Sequence, residues 1–405
     1  MAKLLQINVT ANTASSGRLC EDIGDVVMTQ GWESYVAFGR DSRPSSSNLI
    51  KIGNKFDFYA HLIKSVVLDR HGFGSRIATK QLIDKINEIN PDIIQLHNIH
   101  GYFLNIELVF SYIAERDIPV VWSLHDCWSI TGHCAHFALV GCEKWKNGCY
   151  SCPNLSDYPR SFGWDSSKRN YLQKKKLIES VPRLSIISGS EWIAGIARES
   201  YLGKRDIFVI PDGIDTNIYS PQENTEWLRE KYGLVGKFVI MACGTAWPEY
   251  KGISDYAKLK NMLPDNFAII LVGLSPSDIV KLPKGLIGIP KTKSPQELAT
   301  YYSMADCVMS LSRLESFGLT PVEGFACGTP AIVYDNCALS ELITPETGFK
   351  IEPGNIEELY ESVIEMSKIG KSSFSENCRK VAVEKYDRFK CYKDYLTIYE
   401  NLINS

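Results

Sequence analysis

Three observations predict an α/β architecture made of two doubly wound halves. Short apolar runs alternate with amphipathic stretches along almost the whole chain. That alternation is interrupted once, near residue 211, and then begins afresh. The length of 405 residues exceeds what one hydrophobic core usually organises, so two domains, or three, are expected.

The front half reads as strands at KLLQINV (3–9), ESYVAFG (33–39), PDIIQLHN (91–98), PVVWSLHD (119–126) and RLSIISGS (183–190). Each is a short β-branched or apolar run of the kind that is buried in a sheet, and segments such as RLCEDIGDVVMTQG place apolar residues at helical spacing between them. The join falls in FVIPDGIDTNIYSPQENTEW, where Pro211, Gly213 and Pro221 break the pattern. KFVIMACG, FAIILVG, LIGIPK, CVMSLS and TPAIVY then repeat it. Strands that alternate with helices imply parallel sheets covered on both faces, with right-handed crossovers and a crevice between the halves. The expected domains are 1–210 and 211–386, and residues 387–405 form a final helix that packs on one of them, with Tyr392, Tyr395, Leu396, Tyr399 and Leu402 on its apolar face.

Composition narrows the class. Hydrophobic residues make up 44% and charged residues 22%, as in an ordinary soluble α/β protein. No apolar segment reaches the length of a spanning helix, and MAKLLQINVTANTASSG lacks the marks of a signal peptide and reads as a first buried strand. The expectation is a cytoplasmic protein, with any membrane association peripheral and on the cytoplasmic face. The net charge of -3 divides into 24 Lys+Arg against 21 Asp+Glu up to residue 210 and 20 against 26 beyond it. So modest a split is compatible with a solvated surface or with a front half that meets anionic groups, and no nucleic-acid partner is expected. Lys174, Lys175 and Lys176, on a predicted helix, read as a solvated face or a contact with anionic headgroups. Twelve cysteines without a secretory signal point to a reducing compartment.

The stretch ESFGLTPVE (315–323) carries the chemistry. Thr320 as N-cap, Pro321 at the first helical position and Glu323 as a capping-box partner would make a good helix start, with Gly328 ending the helix. Glu323 is therefore accounted for by capping as readily as by function. Glu315, however, lies just past the carboxyl end of a strand, where open α/β sheets bind ligands, and Ser316 to Gly318 lead backbone N–H groups into a helix. A carboxylate one turn further on can accept two hydrogen bonds from a cis-diol.

SRLESFGLTPVEGFACGTPAIVYD resembles the E-x7-E signature of retaining, family 4-like glycosyltransferases of the GT-B fold. SGSEWIAGIARESY, VIPDGIDTNIYSP, GTAWPEYKG and LSELITPETGFKIEPGNIEEL agree with it in order, so the resemblance spans most of the chain. It implies two Rossmann-like domains, the second of which binds a UDP- or GDP-sugar. The sugar passes, with retention, to an oligosaccharide or lipid-linked acceptor in bacterial surface-polysaccharide biosynthesis, and catalysis needs no cofactor. By the resemblance Glu323 binds the ribose, Glu315 the donor sugar, and Phe317, Gly318 and Leu319 offer backbone groups to sugar and diphosphate. Gly244 ends the strand before the phosphate loop, and Lys251 is the phosphate-binding lysine. Relatives place an Arg shortly before that lysine; none lies between Gly244 and Gly252 here, and Arg313 is the candidate substitute, or else an exposed strand-end residue.

In the front half His125, followed by Asp126, matches a histidine that relatives place close to the donor sugar; a core histidine and a helix cap are the alternatives. Gly17 and Arg18 stand where relatives have a glycine-rich loop, and His97, Asn98 and His100 would line the acceptor side. The missing G-x-G-x-x-G counts against an oxidoreductase. A sugar-nucleotide epimerase and a non-catalytic sugar-nucleotide binding component remain the competing functions. Cys134, Cys142, Cys149 and Cys152, with His133 and His136 beside them, fit structural zinc, free thiols or disulfides equally, and similar Cys-rich inserts occur in a subgroup of these transferases.

Overall fold

Two all-parallel sheets organise the chain, and the computed structural model describes all residues 1–405. The first sheet contains β1 (Lys3–Asn8), β2 (Glu33–Phe38), β3 (Asn48–Lys51), β4 (Ile93–Leu96), β5 (Val120–Leu124), β6 (Leu184–Ser188) and β7 (Asp206–Val209), in the order β3-β2-β1-β4-β5-β6-β7. The second contains β8 (Phe238–Cys243), β9 (Phe267–Leu274), β10 (Leu286–Pro290), β11 (Cys307–Ser310), β12 (Ala331–Tyr334) and β13 (Gly348–Ile351), in the order β10-β9-β8-β11-β12-β13. Every residue of β4, β5, β6 and β12 is buried, as a strand covered by helices on both faces requires. The order of connection reverses between β1 and β4 in one sheet and between β8 and β11 in the other. Loops outside the carboxyl ends of those strands are where such sheets receive ligands.

Contacts divide the chain into one unit of Met1–Pro211 with Tyr392–Ser405 and another of Asp212–Cys391, each with its own core. The helix Arg388–Asn404 begins in the second and ends in the first. Within the first unit its tyrosines reach polar groups of the central strands: the Tyr395 and Ser123 hydroxyls are 3.1 Å apart, and Tyr399 donates to Gln95 Oε1 at 3.0 Å.

Three strands, β3, β7 and β13, had no counterpart in the sequence reading, and all three are edge strands. β3 has no fully buried residue, so it lacks the apolar run by which a central strand is recognised.

The lysine run also departs from expectation. On the helix Ser167–Glu179, Lys174 is only 1% exposed; it donates to the Trp128 carbonyl at 2.5 Å and lies 3.9 Å from the centroid of that indole. Burial lowers its ammonium to about 7, so Lys174 belongs to the core and reaches neither solvent nor headgroups. No helix is long and apolar enough to cross a membrane.

Candidate active site

The turn after β11 places the E-x7-E segment. Its helix runs Leu319–Ala326, with Gly318 rather than Thr320 at the N-cap, and no side chain caps it. Gly318 has φ 112°, and a Cβ there would meet Leu339 at 2.8 Å, so both backbone conformation and space demand glycine. Pro321 is consequently the third helical residue, and Thr320 Oγ1 donates to the Cys243 carbonyl at the end of β8, 3.4 Å away. The expected capping box does not form. Gly328, with φ 71°, follows the helix as anticipated.

With capping removed as its explanation, Glu323 stands out. It is 5% exposed on the first turns of this helix, and its Oε2 accepts from the Tyr302 hydroxyl at 2.7 Å. A buried carboxylate is costly unless it is hydrogen-bonded, and Tyr302, itself fully buried, meets part of that need.

Glu315, one turn before the helix, accepts a hydrogen bond on Oε1 from Lys251 Nζ. Lys251 closes the short turn Glu249–Lys251 that follows β8, and both side chains stay partly exposed. The switch point thus joins β8 and β11 through one ion pair. Gly244, the first residue after β8, packs so closely against Gly273 of β9 that a Cβ on Gly273 would lie 2.0 Å from the Gly244 carbonyl. Phe317 is buried against Tyr386, so only its backbone groups are available for a ligand, and the partly buried Leu319 packs at the core edge.

Arg313 is committed elsewhere. It donates to Asp255 Oδ2 at 2.8 Å, and the same oxygen accepts from the Tyr334 hydroxyl at 2.8 Å. Burial would raise the Asp255 pKa, but Tyr334, Lys258 and Arg313 outweigh it and the carboxyl is lowered. The structure therefore gives the guanidinium a local partner, which sequence could not reveal because Asp255 lies 58 residues away.

In the first unit the histidines form two linked sets. His97, fully buried after β4, puts Nε2 3.0 Å from Gln6 Oε1 and Nδ1 3.2 Å from His125 Nε2, and the two imidazoles stack at 5.5 Å with an 11° tilt. Gln6 Nε2 donates to the Cys20 carbonyl at 2.7 Å, which orients the amide oxygen toward His97. His97 must then carry its proton on Nε2 and accept on Nδ1, so His125 presents Nε2–H to it. Burial, then the neighbouring His125, holds the His97 pKa well below the usual value. The Gln6 contribution was not anticipated. Asn98 receives its backbone anchor from Asn8 Oδ1 at 3.1 Å.

The second set runs from Asp126 through His100 to Tyr158. Asp126 Oδ2 accepts from His100 Nε2 at 2.6 Å, Oδ1 accepts from Trp128 N–H at 2.8 Å, and His100 Nδ1 is 2.9 Å from the Tyr158 hydroxyl. Burial raises the Asp126 pKa, but His100 and Trp128 more than compensate and hold it at about 2. Gly17 and Arg18 are the fourth and fifth residues of the helix Ala14–Thr29, with Gly17 packed against Thr10 and the backbone of Asn12.

All twelve cysteines are free thiols. Cys134, Cys142, Cys149 and Cys152 line one cavity, although no three His, Cys, Asp or Glu side chains are set, as they stand, to hold a metal ion.

Two parallel, doubly wound sheets, each with a switch point, are the GT-B architecture, and comparison with known proteins agrees. Residues 250–384 match the family described as Glycosyl transferases group 1. The chain is 24% identical to the putative colanic acid biosynthesis glycosyl transferase WcaC of Escherichia coli K12, over 98% of this chain and 100% of that one. Among solved structures, sucrose-phosphate synthase from Thermosynechococcus elongatus superimposes with a TM-score of 0.75 at 15% identity, covering 100% of both chains. Anabaena Alr3699/HepE in complex with UDP does so with a TM-score of 0.69 at 15% identity, over 99% of this chain and 100% of that one. Residues 250–384 thus carry a Glycosyl transferases group 1 domain, within a chain whose fold is GT-B.

Proposed function

We propose that the protein transfers a sugar from a nucleoside-diphosphate sugar to a carbohydrate acceptor, with retention at the anomeric carbon, in assembly of a surface polysaccharide. The observation that carries this reading is the Lys251–Glu315 pair at the β8/β11 switch point, eight residues before the buried Glu323. Glu323 would take the ribose hydroxyls on its carboxylate. Glu315 would exchange its ammonium partner for hydroxyls of the donor sugar, which frees Lys251 to face the diphosphate.

In the reaction the bond between the anomeric carbon and the diphosphate oxygen breaks while positive charge grows on the sugar ring. The acceptor hydroxyl adds to the face the diphosphate leaves, and its proton passes to the departing phosphate oxygen. Lys251 and the N-terminus of the helix Leu319–Ala326 stabilise the negative charge that develops there. For His125 a place near the donor rests on the resemblance alone. The colanic acid name of the Escherichia coli relative supports a polysaccharide product, and the HepE complexes with UDP and UDP-glucose support the donor class.

A lipid-linked acceptor gains support from the helix Lys55–Leu68. Phe56, Tyr59, Ile63 and Val67 are exposed along one face of it, beside exposed Phe162 and Trp164, whose backbone N–H groups bond to Val66 and Val67. Arg76 and Arg169 are exposed nearby, close enough to the partly buried Lys64 to act on it electrostatically. Such a pairing of aromatic and basic groups suits a peripheral contact with anionic lipid.

A thermal-shift screen of UDP- and GDP-sugars, followed by proton NMR of the product's anomeric signal, tests the reading. One nucleotide sugar should raise the melting temperature and give a product of unchanged anomeric configuration. A new sugar nucleotide formed without acceptor would favour an epimerase instead.

A further inference from the structure

Between β5 and the helix Ser167–Glu179 the chain runs some forty residues with only three short 3-10 turns, Trp128–Ile130, Phe137–Val140 and Lys144–Lys146. Yet Trp128, Phe137 and Trp145 from this stretch are buried in the first unit's core. A segment with so little regular hydrogen bonding needs some other constraint to fix those side chains.

The four cysteines converge on a single point of it. Cys134, Cys142, Cys149 and Cys152 all line one cavity of ≈ 10 Å³, about the room of a single water or ion. The Cys134 and Cys152 thiols are hydrogen-bonded to each other. Backbone donors already serve the sulfurs: Gly132 N–H bonds to Cys149 Sγ at 3.1 Å, and Asn154 N–H, two residues past Cys152, bonds to that sulfur. Sulfurs with N–H donors of this kind are suited to the thiolate form that a metal requires.

His133 supplies an independent sign. It is 2% exposed, its Nδ1–H donates to Asp69 Oδ1 at 2.5 Å, and Asp69 Oδ2 is held by Ser166 N–H at 2.8 Å. That fixes the ring; His133 lines the same cavity, and its remaining Nε2 is buried and without a hydrogen-bond partner. Side chains held rigidly by hydrogen bonds commonly surround metal centres as an outer shell, and His133 stands beside the four sulfurs in that way.

We propose that Cys134, Cys142, Cys149 and Cys152 bind a thiophilic divalent cation of the zinc class, faced by His133, and that this ion fixes the segment between β5 and β6. The four thiols, of which Cys134 and Cys152 are now hydrogen-bonded to each other, come onto the ion by loss of their protons and rotation about χ1 within the cavity. The ion is structural: four thiolates fill a tetrahedral zinc and leave no position for a substrate. Nothing in this inference depends on the transferase reading, and its tests read metal and spectrum rather than activity.

Metal analysis of the full-length protein purified without chelator should give about one zinc per chain, released by a mercurial reagent and detected with a chromophoric chelator. Cys149→Ser and Cys152→Ser should each lose it, whereas Cys243→Ser, in the other unit, should keep it. Replacement by Co(II) should give intense thiolate-to-cobalt charge-transfer bands and the visible absorption of a tetrahedral sulfur site, a readout on the unmutated chain should the variants fail to fold. Metal-free protein that neither takes up Co(II) nor melts lower with chelator would overturn the proposal, as would zinc that survives Cys149→Ser.

Discussion

The Tyr302 hydroxyl donates to Glu323 Oε2 at 2.7 Å, inside the second unit's core, 21 residues away in sequence. One carboxylate oxygen is thereby satisfied by the protein. Tyr302→Phe should remove that bond without changing shape and cost about 1–3 kcal/mol in denaturant unfolding. Glu323→Gln keeps the volume and weakens the acceptor, so it should abolish the nucleotide-sugar thermal shift at modest cost in melting temperature. An unchanged shift in Glu323→Gln would remove Glu323 from donor binding.

Lys251 and Glu315 form a partly exposed pair, so the pair contributes little to stability. Its value should appear in turnover. Lys251→Met should lower kcat by roughly 10²-fold, the loss typical of one charge-stabilising donor, with a melting temperature close to the parent's. Single-turnover kinetics separates this from slow product release.

Arg313 should behave in the opposite way. Because it serves Asp255, Arg313→Ala should lower stability, measured by denaturant unfolding, and leave the donor KM within about threefold. A large rise in KM would show that the guanidinium leaves Asp255 for the diphosphate.

Acid should destabilise the first unit early. His61 accepts backbone N–H bonds on Nε2 from Gly72 and Gly74, which requires a neutral ring, and burial lowers its pKa to about 3. A depressed group contributes fully above the unfolded value of about 6.5, and that contribution is lost as pH falls toward about 3, by up to about 1.4 kcal/mol per pH unit. His71 and His97 are lowered in the same direction by burial. Unfolding at pH 5 should show proton uptake that is smaller by about one proton in His61→Gln, and at pH 7.5, above the unfolded value, that difference should nearly vanish.

The exposed face of the helix Lys55–Leu68 should bind vesicles containing anionic phosphatidylglycerol and not pure phosphatidylcholine. Ile63→Ser with Trp164→Ser should abolish sedimentation with the vesicles while preserving the melting temperature, since both residues are exposed.

Strands buried on both faces announce themselves as apolar runs, so β1, β4, β5, β8, β9 and β12 were legible; edge strands such as β3, half in water, were not. In the candidate site, order along the chain singled out Glu315, Glu323 and Lys251, and the structure pairs Glu315 with Lys251 and buries Glu323. Order alone could not place Arg313 on Asp255, turn Lys174 inward over Trp128, or bring Gln6 to His97 across 91 residues. Those depend on long-range packing, which no local spacing encodes. The cap at Gly318 was misread because Thr-Pro is itself a strong helix start, and here the close approach of Leu339 outweighed it.

β5 and β6 pair directly, Val120 opposite Leu184, so the forty-odd residues that leave one and lead back toward the other contribute no rung to the sheet. They are an exchangeable cassette as far as the backbone is concerned. Not all of their anchors are contiguous with them: Asp69, from far along the chain, grips His133 and Ser166, while on the helix that follows Asn170 grips Asp69 and Arg70, and Lys174 holds Trp128. A transplant between transferases would therefore have to carry this distant scaffolding along with the loop, or the graft would arrive without its moorings.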